Sequence, residues 1–335
     1  MFARSIYISQ FDDNFKVDEN CSTYFTSFHI AEEFNDEFKT KAINILKLLK
    51  QNNKKIIVDI SPRGLTNLGY DDIKSFIKDF DIDYIRLDYG FSDEETIEIS
   101  NYCNIAINAS TFDLALVKQL KNKVIAIHNF YPREDTGLDR EFFNLKNKQL
   151  KENNIEVAAF ITGDELLRGP LYKGLPTLED CRNKVPYIQY LSIVDDVDLV
   201  IVSDMGLSDY QNKLISLTDN DSIIRVPVVL NNEYSYLYDQ IFTNRSDSPN
   251  WLIRIIESRQ YATAGKIIEP DNCINRNKGY ITIDNKNYLR YSGEIQIMKK
   301  DFDKDDRVNV IGKIKEEYIE VLDYIKPNTK FIFVK

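Results

Sequence analysis

Short runs of β-branched and aromatic residues recur along the first two thirds of the chain, and polar turns separate them. Eight such runs predict eight strands, at residues 5–9, 23–30, 55–60, 84–88, 105–108, 124–129, 157–162 and 199–204. Runs of this length and composition are typical of strands that are buried in a sheet.

Amphipathic stretches lie between several of these strands. In residues 35–51 the apolar positions recur at helical spacing, which predicts a helix with one buried face. Shorter stretches at 71–80 and 93–101 carry acidic residues near their starts, as helices do. Residues 10–22 show no long apolar period, so we expect the first helix to be reduced to a turn or two.

Strands that alternate with helices predict a parallel sheet, and eight units favour closure into a (β/α)8 TIM barrel, an α/β fold. An open doubly wound sheet is the alternative. The first strand is not followed by a glycine-rich dinucleotide-binding motif, which argues against that alternative.

The pattern changes near Asn220. Strand-like runs at 223–230, 280–283, 288–291, 294–298, 308–311 and 331–334 alternate with turn residues, and residues 315–324 have a helical pattern. We therefore predict a barrel over residues 1–220 and a small antiparallel β domain with one helix over 221–335. Pro227 lies inside the first of these runs and predicts an edge or crossover position for that strand.

Composition narrows the function. A net charge of −10 disfavours nucleic acid as a partner. The chain has no apolar run of membrane-spanning length and no signal-peptide pattern at its start, and its four cysteines are scattered. These features predict a cytoplasmic protein that does not enter a membrane. Two histidines argue against a multi-histidine metal centre, so we expect neither a metal nor a cofactor.

Barrel active sites lie at the carboxyl ends of the strands. Asp59 and Asp88 close strands three and four, and they are the carboxylates best placed for acid, base or nucleophilic chemistry. The alternative for Asp88 is a salt bridge to Arg86, which shares its face of the strand. Asn108 closes strand five, and Asp204 closes strand eight.

A polar and aromatic cluster follows strand six. His128, Asn129, Tyr131 and Arg133 lie close together in sequence and predict a substrate-binding loop. The alternative for His128 is a buried structural histidine.

Residues 163–179 form a loop interrupted by glycine and proline, as a lid or binding loop would be. Glu179 at its end is either a second catalytic carboxylate or a residue at a helix N-terminus. In the second domain, Arg245 and Arg259 are candidates for phosphate recognition, with exposed surface arginines as the alternative.

Several motifs resemble one bacterial family, the 6-phospho-N-acetylmuramidases. They are His128-Asn129-Phe130-Tyr131-Pro132-Arg133, Arg86-Leu87-Asp88-Tyr89-Gly90, Gly174-Leu175-Pro176-Thr177-Leu178-Glu179 and, nearer the C-terminus, residues 279–285, 291–297 and 307–312. The resemblance implies a TIM barrel with a cyclophilin-like C-terminal domain. It also implies cleavage of N-acetylmuramic acid 6-phosphate from N-acetylglucosamine during peptidoglycan recycling. The chain departs from the family at Gln10, where members tend to carry an acidic residue.

The leading hypothesis is a glycosidase that acts on a phosphorylated amino-sugar disaccharide with two carboxylates. Asp88 is expected to be the nucleophile or stabiliser and Glu179 the acid, with Asp59 as the substitute for either. His128, Asn129 and Asn108 would position the sugar. The alternatives are a sugar-phosphate isomerase, epimerase or lyase, and a non-catalytic phospho-sugar binding protein that the residue Gln10 makes plausible.

Overall fold

The structure is a computed structural model that describes residues 1–12, 14–28, 30, 33–87, 90–258 and 267–335. The chain divides into two compact units, Met1–Asn212 and Lys213–Lys335. The boundary predicted near Asn220 lies close to this division, and both positions fall within the helix Asp209–Asp221.

The first unit is built on eight parallel strands that form a closed barrel. The strands are β1 (Phe2–Ile6), β2 (Thr23–Ser27), β3 (Lys55–Ile60), β4 (Tyr84–Leu87), β5 (Asn104–Asn108), β6 (Val124–Ile127), β7 (Glu156–Ile161) and β8 (Leu199–Val202). Closure comes from the pairing of β1 with β8, in which Ala3 pairs with Ile201. The predicted barrel is confirmed, and the open sheet is wrong.

Strand pairing shows which side chains face the barrel interior. The rings of Phe25 in β2 and Phe160 in β7 meet with centroids 5.2 Å apart, although these strands are not neighbours. Both rings therefore lie inside the barrel. Ser27, two residues after Phe25, pairs with Asp59, and Asp59 pairs with Arg86. Residues that pair across neighbouring strands share a face, so these three side chains also point inward.

Helices connect most of the strands. They are α1 (Phe38–Gln51), α2 (Pro62–Leu68), α3 (Ile73–Phe80), α4 (Asp93–Ile99), α5 (Leu114–Val117), α6 (Arg140–Glu152), α7 (Pro186–Ile193) and α8 (Asp209–Asp221). The apolar stripe of α1 is buried as predicted, from Phe38 to Leu49. A capping box formed by Ser92 and Glu95 begins α4. Between β1 and β2 the described residues contain only the short 3-10 helix Ile8–Gln10, which confirms the expected reduction.

The second unit contains a seven-stranded sheet in the order β10-β15-β9-β14-β12-β13-β11. Its strands are β9 (Ile224–Leu230), β10 (Ile241–Thr243), β11 (Leu252–Arg254), β12 (Tyr280–Asp284), β13 (Ile295–Met298), β14 (Val308–Ile314) and β15 (Lys330–Val334). All neighbours are antiparallel except β15 and β9. The predicted β-rich second domain is confirmed.

Pro227 lies where β9 changes partners. Residues 224–227 pair with β15, and residues 228–230 pair with β14. A proline cannot donate a backbone hydrogen bond, so this crossover position suits it. The crossover alternative is thereby confirmed, and the edge alternative is wrong because β9 is an interior strand.

The run 288–291 does not form the predicted strand. It belongs to the 3-10 helix Lys286–Tyr291, which the side chain of Asn285 caps by accepting from the backbone N–H of Asn287. Leu289 is 81% exposed, so its apolar side chain does not contribute to the core. The predicted helix at 315–324 is also a 3-10 helix, Glu316–Asp323. A third, Asn232–Leu237, follows β9.

Among the described residues, no helix is both long and apolar enough to cross a membrane. All four cysteines have free thiols, and three of them, Cys21, Cys103 and Cys181, are buried.

Candidate active site at the barrel mouth

Four inward-facing residues form a hydrogen-bonded chain across the carboxyl ends of the strands. Ser27 Oγ donates to Asp59 Oδ2 (3.2 Å), and Arg86 Nη1 lies 3.1 Å from the same oxygen. Arg86 Nη2 donates to Asn129 Oδ1 over 2.6 Å. We call Ser27, Asp59, Arg86 and Asn129 the polar chain.

Two of the predicted site residues, Asp59 and Asn129, are therefore brought together through Arg86. Asp59 is 2% exposed, so its charge and that of Arg86 are held largely away from water. In the described part of the chain, Arg86 forms a salt bridge with Asp59, and the salt bridge to Asp88 that we considered as an alternative stays a prediction. Asp88 itself lies outside the described residues, and its role stays a prediction.

Asn108 closes β5, and its side chain is half-buried. Its Oδ1 accepts from the backbone N–H of Ser110 over 2.9 Å, which turns the chain away from the strand. Because Asn108 pairs with Ile127, and Asn129 is two residues beyond Ile127, the two asparagines belong to the same inward-facing row.

His128 faces the other way. Its Nε2 donates to Asn147 Oδ1 in α6 over 2.7 Å, and its ring packs on that of Phe143 at 4.7 Å. The side chain is 0% exposed, and burial lowers its pKa to about 4. The expectation that His128 contacts substrate is corrected here: alternation places it between the sheet and α6, because Asn129 faces the mouth.

Tyr131 and Arg133 continue the loop after β6. Tyr131 is half-buried, and burial raises the pKa of its phenol. The backbone carbonyls of both residues accept from Arg182 Nη2, at 2.9 and 3.2 Å. Arg133 itself is exposed. Arg182 thus fixes the path of this loop, while the side chains of Tyr131 and Arg133 keep their predicted binding role as a proposal.

The carboxylate of Glu179 accepts four hydrogen bonds from the protein. Its carboxylate accepts from Arg182 Nε (2.6 Å) and Nη2 (2.8 Å), and from the backbone N–H groups of Asp135 (3.1 Å) and Gly137 (2.8 Å). The hydrogen bonds from Arg182 are the main cause that lowers its pKa to about 2. A general acid must be protonated near neutral pH, so this geometry does not suit the predicted role of Glu179. It instead ties the loop that ends at Glu179 to the loop after β6.

A second group of side chains at the mouth was not among the predicted site residues. The guanidinium of Arg168, from the loop after β7, lies over the ring of Tyr7, with its carbon 4.0 Å from the ring centroid. Arg168 Nη2 is 3.7 Å from Glu33 Oε1, and Ser9 Oγ donates to that same oxygen over 2.6 Å. Burial raises the pKa of the Tyr7 phenol. We call Tyr7, Glu33 and Arg168 the arginine cluster.

Asp204, two residues after the end of β8, anchors this cluster. It is 0% exposed, and its carboxylate accepts from the backbone N–H groups of Gly163 (3.0 Å) and Arg168 (2.8 Å). Burial raises the pKa of Asp204, although these backbone donors act in the opposite direction. Gln10, at the position where the family that the chain resembles tends to carry an acidic residue, donates from Nε2 to the carbonyl of Leu166 over 3.0 Å and so stabilises the same loop.

The sequence did carry a signal for Arg168, because the loop 163–179 had the length and punctuation of a binding loop. Glu33 falls between the predicted strand 23–30 and the predicted helix 35–51, where periodicity gives no information.

The predicted phosphate ligands lie in the second unit. Arg245 forms a two-point ion pair with Asp247, with nitrogen–oxygen distances of 2.9 and 2.7 Å. Arg259 lies outside the described residues. Phosphate binding by either arginine stays a prediction. Within the described residues, no group of three or more histidine, cysteine or acidic side chains is arranged to hold a metal ion.

Two family models match nearly the whole chain. The model described as 6-phospho-N-acetylmuramidase, N-terminal, matches residues 13–217, and the one described as 6-phospho-N-acetylmuramidase, C-terminal, matches residues 224–334. A conserved protein of unknown function from a locus in Enterococcus faecalis aligns with a TM-score of 0.85 and 29% identity, over 100% of this chain and 96% of that chain. An uncharacterized B. cereus protein aligns with a TM-score of 0.76 and 26% identity, over 100% and 99%. No curated protein matches the sequence.

Proposed function

The chain belongs to the 6-phospho-N-acetylmuramidase family, and from that premise we propose that its barrel mouth hydrolyses the bond between N-acetylmuramic acid 6-phosphate and N-acetylglucosamine. The family activity is that of a glycosidase, which sets aside the isomerase, lyase and binding-protein alternatives. What we propose beyond the family is the place of the reaction and the residues that perform it.

The observation that carries this proposal is the buried ion pair of Asp59 and Arg86 within the polar chain. An adjacent guanidinium favours the ionised form of a carboxyl group. Glycoside cleavage passes through a transition state with positive charge on the sugar ring, and a fixed carboxylate stabilises that charge. Asp59 is therefore assigned to the stabiliser or nucleophile.

The acid that protonates the leaving oxygen must be a second carboxyl group. Glu179 does not suit this role, since Arg182 and two backbone N–H groups keep it ionised. We assign the acid to Asp88, which follows β4 directly and lies two residues beyond Arg86. Asn129 and Asn108, in the same inward-facing row, would position hydroxyl or acetamido groups of the substrate.

We further propose that the reaction takes place in the cytoplasm. The substrate carries a phosphate that an uptake phosphotransferase system would add on import, and that phosphate would then mark the disaccharide inside the cell.

The experiment is to incubate purified protein with 6-phospho-N-acetylmuramyl-N-acetylglucosamine and, separately, with the unphosphorylated disaccharide, and to follow the products by mass spectrometry. Release of both sugars from the phosphorylated substrate alone supports the proposal. Failure to cleave either compound would overturn it.

Asp59→Asn and Asp88→Asn should each lower kcat by about 10³-fold or more, because each removes a charge or proton that the transition state requires. The matched control is Asp83→Asn. Asp83 also pairs with a cation, Lys50 at 2.9 Å, but it precedes β4 at the opposite end of the barrel. That variant should lose stability and keep kcat. A near-wild-type kcat for Asp59→Asn would remove Asp59 from the reaction.

A further inference from the structure

Arg168 reaches over the floor of the barrel mouth. Its guanidinium lies 4.0 Å from the ring of Tyr7, which follows β1, and 6.0 Å from the ring of Phe130, which follows β6. Phe130 packs edge-on against the inward-facing Phe160, with centroids 5.1 Å apart. The charged end of Arg168 therefore lies between strand ends from different parts of the barrel, above its aromatic interior.

The guanidinium of Arg168 makes no hydrogen bond within the part of the chain that the structure describes. Its side chain is 10% exposed, and among the described residues none accepts a hydrogen bond from its guanidinium. Its ion-pair contact with Glu33, at 3.7 Å, is longer than a hydrogen bond. By contrast, Arg182 donates to the Glu179 carboxylate and to four backbone carbonyls. A largely buried guanidinium without acceptors is costly unless a ligand supplies them.

A second orphaned group lies beside it. Glu33 is 4% exposed, and its Oε2 is buried with no hydrogen-bond partner among the described residues. Its other oxygen is taken by Ser9. Within the described residues, the guanidinium of Arg168 and Oε2 of Glu33 thus lie close together without hydrogen-bond partners. This arrangement is expected in a site that binds both an anionic group and a hydroxyl group.

We propose that Arg168 binds the lactyl carboxylate of the muramic acid residue and so selects this sugar over glucosamine. The inference rests on the proposed function and deepens it by naming the group that the site recognises. A guanidinium and a carboxylate form two parallel hydrogen bonds, for which the planar fork of arginine is suited.

The charges near Arg168 favour the carboxylate over the phosphate of the same sugar. Glu33 lies beside the guanidinium, and Asp204 holds the backbone N–H of Arg168, so two acidic groups accompany one cation. A carboxylate adds one negative charge to this buried group, whereas a phosphate adds about two. The repulsion is smaller for the carboxylate. The phosphate is thereby left to other donors.

The test is calorimetric titration of the wild-type chain, Arg168→Lys and Arg168→Met with three ligands: N-acetylmuramic acid 6-phosphate, N-acetylmuramic acid, and N-acetylglucosamine 6-phosphate. Both variants should bind the two muramic acids about 100-fold more weakly, because a charge-assisted two-point contact is lost. Binding of N-acetylglucosamine 6-phosphate should stay within twofold. Arg168→Lys keeps the positive charge, so it tests the inference even if Arg168→Met does not fold. Thermal melting measures whether both variants are folded.

The matched control is Arg307→Met in the second unit. Arg307 also lies over a tyrosine ring, that of Tyr288 at 4.5 Å, but it is exposed and paired with Asp305. It should leave all three affinities unchanged. Equal losses for the two phosphorylated sugars, with N-acetylmuramic acid unaffected, would assign Arg168 to the phosphate and overturn the inference. Unchanged affinities in folded variants would also overturn it. Turnover of the disaccharide by the wild-type chain is a separate readout, and its absence would count against the proposed function.

Discussion

Asp59 and Glu179 each lie beside an arginine, yet their surroundings suit them to different tasks. Asp59 shares Arg86 with Asn129 in the inward-facing row of the barrel. Glu179 joins two loops, and both of its oxygens accept from Arg182 and from backbone N–H groups. A carboxylate whose acceptor sites are filled by the protein has no free position for a substrate proton.

Glu179→Gln should therefore act on stability. Arg182 is 4% exposed, and the loss of its partner leaves a buried charge, which we expect to lower the free energy of unfolding by about 3 kcal/mol. Below the melting transition, kcat should stay within about tenfold of wild type. Urea denaturation and steady-state kinetics measure the two effects.

The control for Glu179→Gln is Glu134→Gln. Glu134 is exposed and lies 3.8 Å from the exposed Lys173, so its loss should change stability by less than about 1 kcal/mol. A Glu179→Gln protein of normal stability with kcat reduced by more than about 100-fold would restore Glu179 as the acid.

Sequence reasoning found individual residues that lie at the barrel mouth where a strand ends in a polar side chain, as at Asp59 and Asn129. It misplaced His128, because neighbouring residues of a strand point to opposite faces and the sequence does not state which face is inside. It passed over Glu33, because a carboxylate between two predicted elements becomes recognisable only when Ser9 and Arg168 are seen beside it.

At the scale of elements, two glycines allow the backbones of the loops after β7 and β8 to pack in close contact. A Cβ atom on Gly206 would lie 2.0 Å from the carbonyl oxygen of Glu165, and one on Gly163 would lie 2.0 Å from that of Gly206. Backbone cannot yield at such distances without moving the whole loop. These contacts hold the segment that leads to Arg168.

Gly206→Ala should therefore lower the free energy of unfolding by about 3 kcal/mol and weaken binding of the muramyl substrate through displacement of Arg168. The control in the same loop is Gly169→Ala, where the atoms nearest to an added Cβ belong to the exposed side chain of Tyr172, at 3.2 Å and beyond. Thermal melting and KM report the two effects. A Gly206→Ala protein that melts like wild type would show that the loop is less constrained than its contacts indicate.

The strands were predicted best where apolar residues run without interruption. Strand β3 (Lys55–Ile60) has the bounds that its sequence predicts. Strand β1 begins at Phe2, three residues before the predicted run. The prediction missed this start because the charged residue Arg4 lies inside the strand, where its side chain pairs with Asp18 and with the carbonyl of Met205. A charged residue inside a strand is inconspicuous in sequence until its partners are known.

At the scale of the whole molecule, each unit contains a buried group whose pKa shift is opposite in direction to that of a buried group in the other unit. In the first unit, burial lowers the pKa of His128 to about 4. In the second, burial and the nearby charges of Glu294 and Asp305 raise the pKa of Asp284 to about 7. Between these two pKa values, the folded chain keeps His128 neutral and Asp284 protonated. In the unfolded chain, His128 is protonated below its ordinary pKa of about 6.5, and Asp284 is ionised above its ordinary pKa of about 3.9.

The sign of each contribution follows from proton binding. As pH falls from about 6.5 to about 4, unfolded His128 binds a proton that the folded state refuses, so its unit loses roughly 3 kcal/mol of stability. As pH rises from about 4 to about 7, unfolded Asp284 releases a proton that the folded state retains, so its unit loses a similar amount. The first unit should therefore be less stable in acid, and the second less stable near neutral pH.

His128→Gln and Asp284→Asn separate the two effects. In denaturation at pH values from 4 to 8, Asp284→Asn should remove the decline in stability of the second unit towards neutral pH, because an amide does not titrate. The single tryptophan, Trp251, lies in that unit, so its fluorescence reports the second unit while circular dichroism reports both. His128→Gln should flatten the acid decline seen by circular dichroism and leave the tryptophan signal unchanged. If both variants kept the wild-type pH dependence in both signals, these two buried groups would not cause the losses of stability in acid and towards neutral pH.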